Sequence, residues 1–266
     1  MNKPVVLTDL DDTIFQTKRK MIDGLAGDIA DTGAYDREGN PNSFMNAEQR
    51  MLLDWMLNTT DLIPVTARGT EEISRVNIEF KSWAITTHGA VILQPDGKPD
   101  NTWKKKIITE LADYQERLNR LQAELTRLMA DRNMNAFARI NYEYDGIAIY
   151  LVMKHRDRDK LYQIYDLSHE AAQKLGSDGF YIHSNSNNIA WLPTPIEKGI
   201  AANYLLGKLR AERGKFPVLG FGDSLTDYSF MQLCNWFGIP FQSQFAEAIN
   251  TKIYKKDVLD GFRHTI

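Results

Sequence analysis

The sequence predicts an α/β fold, a parallel sheet with flanking helices, into which an α+β domain is inserted. Short apolar, β-branched runs recur along the chain, starting with Pro4 to Thr8, and helical patterns such as Ala47 to Leu57 lie between several of them. Strands that alternate with helices form parallel sheets. This alternation stops between about residues 95 and 194, where a different order of elements indicates a second module.

The predicted core strands are short and apolar, and polar or turn residues bound them. They are Pro4 to Thr8, Leu62 to Thr66, Trp83 to Thr87, Phe216 to Gly222 and Trp236 to Pro240. Helices are predicted over Ala47 to Leu57 and Glu71 to Phe80. Residues Lys18 to Asn46 are rich in Gly, Asp and Asn without clear periodicity, so they predict either a functional flap or an extra hairpin.

The inserted domain is predicted to span residues 95–194, which leaves 1–94 and 195–266 as one core domain. Turn sequences containing proline stand at both edges. Within the insertion we predict one long helix from Trp103 to about Arg132, two strands joined near Tyr144-Asp145-Gly146, a second helix and two more strands. Leucines repeat along the long helix at a spacing of three and four, which suits a helix lying on a sheet and, less well at this length, a coiled coil.

Composition excludes several classes of protein. The 266 residues are 43% apolar and 25% charged, as in folded globular chains of one large or two modest domains. A net charge of -3 gives no general attraction to nucleic acid or to an anionic membrane, so we expect a small-molecule partner and a monomer or small homo-oligomer. Cys234 has no second cysteine to pair with, and neither a signal peptide nor a membrane-spanning run is found, so we expect a cytoplasmic location.

Three carboxylates follow the first predicted strand, in the sequence Asp9-Leu10-Asp11-Asp12-Thr13. Two like charges about 4 Å apart repel by roughly 4 kcal/mol at an effective dielectric constant near 20, so this cluster needs a cation. Oxygen ligands without His or Cys favour Mg²⁺. A calcium loop would place Gly sixth and Glu twelfth, but counting from Asp9 gives Ile14 and Lys20, which excludes that loop. A solvated turn remains the alternative.

A second acidic cluster, Gly222-Asp223-Ser224-Leu225-Thr226-Asp227, follows another predicted strand and opens a helix. Asp223 precedes the helix and gains little as a cap, so it is the better candidate metal ligand. Asp227 is ambiguous, because Ser224 and Asp227 also match a helix-capping box.

Two further residues stand at positions suited to binding an anion. The sequence Thr194-Pro195-Ile196-Glu197-Lys198 predicts an N-cap, a proline at the first helical position and Lys198 in the first turn, where a cation opposes the helix dipole unless an anion faces it. A solvated lysine is the alternative. Thr66 ends a predicted strand, where it can offer its hydroxyl and backbone N–H to a phosphate or simply terminate the strand.

Taken together, these segments resemble the four motifs of the haloacid dehalogenase superfamily of phosphohydrolases. Residues 5–13 match its first motif, a hydrophobic strand followed by DxDx[TV], and Thr66 and Lys198 match the second and third. Gly222 to Asp227 matches the fourth, GDxxxD. The resemblance covers residues 1 to about 90 and 195 to 266, and it implies a Rossmann-like parallel sheet core.

The resemblance implies a phosphatase mechanism. Asp9 would attack phosphorus to form an aspartyl-phosphate, and Asp11 would protonate the leaving alcohol and then activate water. Thr66 and Lys198 would hold the phosphoryl oxygens.

The resemblance also implies a Mg²⁺ cofactor. Asp9, Asp223 and the backbone carbonyl of Asp11 would bind the ion, and Asp227 is a further candidate ligand. The ion would neutralise the charges of the nucleophile and the phosphate.

The insertion lies where this superfamily carries its type 2 cap, and its order of elements is similar to the cap of sucrose-phosphate, trehalose-phosphate and mannosyl-phosphoglycerate phosphatases. The resemblance therefore implies a small phosphorylated substrate, expected to be a sugar phosphate. A phosphomutase or phosphotransferase using the same aspartate, and a non-catalytic regulatory domain, are the alternatives. Candidate substrate-binding residues are polar or aromatic side chains of the insertion and of the core strand ends: Arg68, His88, Arg139, Asn141, Tyr144, His183, Ser184, Asn185, Asn187 and Trp191.

Overall fold

The computed structural model describes residues 3–23, 28–185 and 188–253. Its internal contacts divide the chain into two compact units. One unit joins Met1–Pro99 to the chain from Lys198 onwards, and the other is Asp100–Glu197.

The chain up to Pro99 forms seven strands and three α-helices within the described residues. The strands are β1 (Val5–Thr8), β2 (Gln16–Thr17), β3 (Asp31–Tyr35), β4 (Pro41–Met45), β5 (Asp61–Pro64), β6 (Ala84–Thr86) and β7 (Val91–Leu93). The helices are α1 (Lys18–Asp23), α2 (Ala47–Thr59) and α3 (Thr70–Ile73), and a 3₁₀ turn spans Thr87–Gly89.

Within its described residues, the unit from Asp100 to Glu197 contains three α-helices, a 3₁₀ turn at Arg158–Lys160 and four strands. The α-helices and strands are α4 (Asn101–Glu110), α5 (Tyr114–Asp131), β8 (Ala136–Glu143), β9 (Ile147–His155), α6 (Leu161–Leu175), β10 (Phe180–Asn185) and β11 (Asn188–Pro193). The first unit then resumes with α7 (Lys198–Arg213), β12 (Val218–Phe221), α8 (Tyr228–Met231), β13 (Trp236–Gly238) and α9 (Gln244–Ile253), with a 3₁₀ turn at Leu225–Asp227.

The first unit is built on a parallel sheet in the order β13-β12-β1-β5. Strand β1 is central and completely buried, and Val5 pairs with Asp61 on one side and with Val218 on the other. A parallel bridge between Val65 and Ile85 brings β6 next to β5, but β6 itself forms an antiparallel pair with β7. The predicted α/β fold with a parallel sheet core is confirmed.

The segment that predicted a flap or a hairpin forms the hairpin β3-β4, which β2 extends into a three-stranded antiparallel sheet. This sheet also explains why the helix predicted over Glu71 to Phe80 is wrong beyond Ile73. The following residues pair with β3 instead: Tyr35 N–H donates to Arg75 O at 3.0 Å and Asn77 N–H donates to Gly33 O at 2.8 Å.

The long helix predicted from Trp103 to Arg132 is divided into α4 and α5 at Leu111 to Asp113. Hydrogen bonds in this junction are of the tighter i to i+3 kind, as from Tyr114 N–H to Leu111 O at 3.0 Å. The side chain of Gln115 donates to Leu111 O at 3.1 Å and to Ala148 O at 3.0 Å, so it occupies the carbonyl that a continuous helix would use. This contact ties the junction to β9.

The Asp100–Glu197 unit is an antiparallel sheet in the order β10-β11-β9-β8, with α5 and α6 packed on one face. Its predicted order of helices and strands agrees with the structure. Leu121, Leu125, Ile164 and Leu167 pack with Trp191 in its buried core. Among the described residues, no helix is both long enough and apolar enough to cross a membrane.

Candidate active site

The carboxyl end of the parallel sheet brings Asp9 and Lys198 together. Asp9 directly follows β1, and its N–H donates to Phe221 O of the neighbouring strand at 2.9 Å. Lys198 is the first residue of α7, and its Nζ lies 2.8 Å from Asp9 Oδ1. Both side chains are buried. The lysine is thus not solvated but contacts the carboxylate expected to be the nucleophile.

Asp227 is the second partner of this lysine. Lys198 Nζ donates to Asp227 Oδ1 at 2.6 Å, and the other carboxylate oxygen accepts from Ser224 N–H at 2.9 Å and from Ser224 Oγ at 2.7 Å. Asp227 is completely buried. The capping interpretation of Ser224 and Asp227 therefore holds, and the same carboxylate fixes the position of the lysine.

The charges of these groups depend on one another. Burial alone would lower the pKa of Lys198, but the adjacent Asp227 and Asp9 carboxylates raise it above its usual value. Burial acts to raise the pKa of Asp227, but Lys198 and the Ser224 hydrogen bonds outweigh it and lower that pKa. Burial, with the nearby charges of Asp227 and Asp223, raises the pKa of Asp9 well above its usual range despite Lys198.

Asp223 completes an acidic cluster at this edge. One carboxylate oxygen from each of Asp9, Asp223 and Asp227 lies within 4.8 Å of the others. Burial, followed by the charges of Asp227 and Asp12, raises the pKa of Asp223 to about 7. Thr13 Oγ1 donates to Asp223 Oδ1 at 3.4 Å, a long hydrogen bond that leaves the charge largely uncompensated.

The donor set of this cluster fits Mg²⁺. It contains carboxylate oxygens and no nitrogen or sulfur ligand, and Lys198 balances only one of its three negative charges. The raised pKa values of Asp9 and Asp223 reflect the same excess of negative charge. Asp227 is the least suited of the three to bind an ion, because both of its oxygens already accept hydrogen bonds from protein groups.

Asp11 lies two residues beyond Asp9 and forms an ion pair with Arg68 through both of its oxygens. Arg68 Nε lies 2.7 Å from Asp11 Oδ2, and Nη2 lies 2.8 Å from Oδ1. The sequence predicts both residues at the site but not their pairing. The one available signal was that each follows a core strand by a few residues.

Thr66 is buried where the chain leaves β5, but its backbone N–H is not free for a phosphate because it donates to Ile85 O at 2.9 Å. That part of the expectation is wrong. Its Oγ1 accepts from Arg68 N–H at 3.1 Å, which leaves the hydroxyl proton to donate elsewhere. His88 lies on the adjacent 3₁₀ turn with a φ of 56°, and its N–H donates to Thr66 O at 3.1 Å.

The N-cap predicted at Thr194 is wrong, since α7 begins only at Lys198. Thr194 and Pro195 form a turn after β11, in which Thr194 N–H donates to Gly179 O at 2.8 Å and Ile196 N–H donates to Pro193 O at 2.9 Å. The backbone of this segment is thereby paired with its own sheet rather than with the helix.

Two of the candidate substrate-binding residues of the inserted unit share one row of its sheet. Arg139 pairs with Val152, Val152 with Ala190, and Ala190 with His183. Because the neighbouring Ile140 packs beneath the helices, this row lies on the opposite face. Asn141 lies on that same face, one row along.

The other candidates of this unit lie in a turn, in the core, on the helix-covered face, at a strand end or outside the described residues. Tyr144 lies in the turn between β8 and β9 rather than on a strand, with Lys104 Nζ 5.3 Å from its ring centroid. Trp191 is completely buried and donates to Ser168 Oγ at 2.9 Å, so it is a core residue. Ser184 pairs with Ile189 on the helix-covered face, Asn185 ends β10, and Asn187 lies outside the described residues.

Neither a protein-family model nor a curated protein sequence matches this chain. Solved structures do. The C-terminal domain of trehalose-6-phosphate phosphatase from C. albicans is 14% identical over 87% of this chain and 73% of its own, with a TM-score of 0.54. A protein from Thermoplasma acidophilum is 12% identical over 94% of this chain and 90% of its own, with a TM-score of 0.52. The sucrose-phosphatase of Synechocystis sp., solved with sucrose and phosphate, is 15% identical over 99% of this chain and 98% of its own, with a TM-score of 0.49.

The likenesses to the C. albicans and Thermoplasma acidophilum structures confirm the predicted α/β fold. The chain has an α/β fold with a parallel core sheet and an inserted α+β unit.

Proposed function

We propose that this protein is a Mg²⁺-dependent phosphatase that hydrolyses a small phosphorylated metabolite, a sugar phosphate, through an aspartyl-phosphate intermediate. The observation that carries the proposal is the contact of Asp9 with Lys198 at the carboxyl end of the central strand, beside Asp223. In open parallel sheets, ligands bind at this edge. A carboxylate, an ammonium group and a second acidic ligand are the groups that phosphoryl transfer from a monoester requires.

In this mechanism Asp9 is the nucleophile. A carboxylate can approach a phosphate dianion only if positive charge offsets their repulsion, and Lys198 supplies one such charge at 2.8 Å. Asp227 holds the lysine from its other side, so the ammonium group does not need to reorganise during the reaction. Asp9 and Asp223 would hold Mg²⁺, which supplies further charge neutralisation of the nucleophile and the phosphate when bound.

Asp11 performs the proton transfers. It donates a proton to the leaving alcohol as Asp9 attacks, and the resulting carboxylate then accepts a proton from the water that hydrolyses the aspartyl-phosphate. Asp11 is suited to this exchange because its side chain is 49% exposed and can exchange protons with solvent. The hydroxyl of Thr66 would bind a phosphoryl oxygen.

We assign substrate selection to the inserted unit as part of the same proposal. The row containing Arg139 and His183 lies on the face opposite α5 and α6. These two polar side chains stand at its ends, with the buried Val152 and Ala190 between them, and they suit hydroxyl groups of a sugar. The names of the C. albicans and Synechocystis proteins make trehalose 6-phosphate and sucrose 6-phosphate obvious members of a test panel.

A phosphate-release screen tests the proposal. The panel contains sugar phosphates, nucleotides and phosphoglycerate derivatives, each assayed with Mg²⁺ and with EDTA, and with Asp9→Asn as the inactive control. We expect release from one or more sugar phosphates that EDTA abolishes. Transfer of phosphate without release would indicate a mutase or phosphotransferase. Activity that persists in EDTA, or no activity on any ester, would contradict the proposal.

A further inference from the structure

Arg68 contacts Asp11 in the bidentate geometry that arginine and carboxylate groups adopt when two parallel N–H donors meet two oxygens. The distances are 2.7 Å and 2.8 Å. Such a pair fixes the orientation of the carboxylate plane as well as its distance. Asp11 is 49% exposed, whereas the Arg68 side chain is only 15% exposed. The arginine is therefore the anchored member of the pair and the aspartate the exposed one.

The anchoring of Arg68 comes from three contacts besides Asp11. Its N–H donates to Thr66 Oγ1 at 3.1 Å, and its carbonyl accepts from Thr87 N–H at 2.7 Å. Its Cζ lies 5.1 Å from the ring centroid of Phe15, a completely buried residue. The guanidinium group thus rests on the core and presents its donors in a fixed direction.

We propose that Arg68 is a positioning residue that orients Asp11 for proton transfer, rather than the substrate-binding residue expected from its place at a core strand end. The inference rests on the proposed phosphatase function. Its basis is that Nε and Nη2 both point at Asp11. A half-exposed aspartate without this partner would sample several rotamers, and a misplaced general acid loses most of its effect.

The two proposed steps determine whether Asp11 is protonated when it pairs with Arg68. In the first step a carboxylate oxygen of Asp9 forms a bond to phosphorus, the ester P–O bond breaks, and the leaving oxygen takes the proton of Asp11. Asp11 is then a carboxylate, the form that Arg68 binds. In the second step this carboxylate accepts a proton from the attacking water as the aspartyl-phosphate is hydrolysed. Arg68 therefore orients the same side chain in both steps, because one carboxyl oxygen can carry the proton while the other keeps its N–H donor.

The test compares two kinds of ester. A sugar phosphate has a poor alkoxide leaving group that needs a proton, whereas 4-nitrophenyl phosphate has a leaving group that departs without one. For Arg68→Gln we expect kcat/KM for the best sugar phosphate to fall by about 10²-fold or more, while kcat/KM for 4-nitrophenyl phosphate falls by less than about tenfold. Arg68→Lys retains the positive charge but not the two parallel N–H donors, so its kcat/KM for the sugar phosphate is expected to lie between those of Arg68→Gln and the wild type.

A double-mutant cycle shows whether the arginine acts through the aspartate. We expect Asp11→Asn to show the same split between the two esters, and Arg68→Gln added to Asp11→Asn to cause little further loss. Arg213→Gln is the matched control, because Arg213 is also a partly buried arginine in an ion pair with an aspartate, Asp61, in the same unit. It is expected to leave the ratio of the two rates unchanged.

Equal losses for both esters in the Arg68 variants, or losses that add fully to those of Asp11→Asn, would overturn the inference and leave the phosphatase function standing. A wild-type protein inactive on every ester would overturn both. If Arg68→Gln does not fold, as judged by circular dichroism, the folded Arg68→Lys variant decides the question through the same ratio.

Discussion

Lys198 Nζ is held between Asp9 Oδ1 at 2.8 Å and Asp227 Oδ1 at 2.6 Å, although 189 residues separate the lysine from Asp9 along the chain. All three side chains are buried. The buried ammonium group is tolerated because two carboxylates lie at hydrogen-bond distance from it. The contact therefore joins the segment after β1 to the segment that follows the inserted unit, and it pairs the proposed nucleophile with a positive charge.

Replacing Asp9 by Asn is expected to abolish phosphate release, by roughly 10⁴-fold or more, without unfolding the protein. The amide cannot form an acyl-phosphate, but its oxygen still accepts the hydrogen bond of Lys198. Activity is measured by phosphate release and folding by thermal denaturation. Asp54→Asn, which changes an aspartate paired with Arg50 on α2, is the control and should retain full activity. Near-wild-type activity of Asp9→Asn would refute the assignment of the nucleophile.

Replacing Lys198 by Met is expected to cost about 3–5 kcal/mol of unfolding free energy, because Asp227 and Asp9 would remain buried without their partner. Adding Asp227→Asn should recover part of this stability while activity stays lost. Urea denaturation measures both effects through the midpoint and slope of unfolding. A double variant no more stable than Lys198→Met alone would show that the ion pair does not account for the loss.

The acidic cluster predicts a pH dependence of the Mg²⁺-free protein. The folded-state pKa of Asp223 is about 7, far above its usual 3.8, so between these values the folded state holds a proton that the unfolded state has released. The unfolding free energy must then fall as pH rises through this interval, and Asp9, whose pKa is also raised, acts in the same direction. In EDTA we expect the wild type to lose on the order of 2 kcal/mol or more between pH 4 and pH 8.

Asp223→Asn isolates the contribution of this carboxylate. In EDTA at pH 8 the variant should be more stable than the wild type, and the difference should shrink towards pH 4. Mg²⁺ at pH 8 should stabilise the wild type by the linkage relation and stabilise the variant much less. Denaturation series at several pH values measure this. A wild type whose stability does not respond to Mg²⁺ would contradict a metal site at Asp223.

Gly199 offers a test of how closely α7 must approach α8. A Cβ added at Gly199 would lie 2.5 Å from the backbone oxygen of Ser229, which cannot move independently. Gly199→Ala should therefore cost about 1–3 kcal/mol and reduce phosphate release, because the adjacent Lys198 would shift. Gly207→Ala on the same helix is the matched control: a Cβ there meets no atom within 4 Å, so stability should stay equal or rise by up to about 1 kcal/mol. Equal effects of the two substitutions would contradict the packing argument.

The meeting of Asp9 and Asp223 at one edge of the sheet was predictable, because parallel strands end on the same side of a sheet. Thr8 and Phe221 are register partners, so the residues that follow them, among them Asp9 and Asp223, had to meet once the strands were recognised. The pairing of Asp11 with Arg68 was not predictable. It depends on the path of the chain after β5, which the hydrogen bond from Thr87 N–H to Arg68 O holds in place.

Local sequence patterns also gave wrong predictions where a distant segment of backbone competes with helix formation. The chain after Ile73 has residues compatible with a helix, yet its backbone groups pair with Gly33 and Tyr35 of β3. The break between α4 and α5 likewise depends on Gln115 reaching Ala148 on a strand more than thirty residues away. Neither partner is visible within a window of sequence the length of one helix.

The central position of β1 has a consequence for biosynthesis. Strand β1 can pair with β5 early in translation, but its other edge waits for β12, which is translated only after the whole inserted unit. The continuous Asp100–Glu197 unit can complete its own sheet in the meantime. The nascent chain therefore carries an unpaired edge of β1, with free backbone N–H and C=O groups, until β12 is made, and chaperones shield such edges.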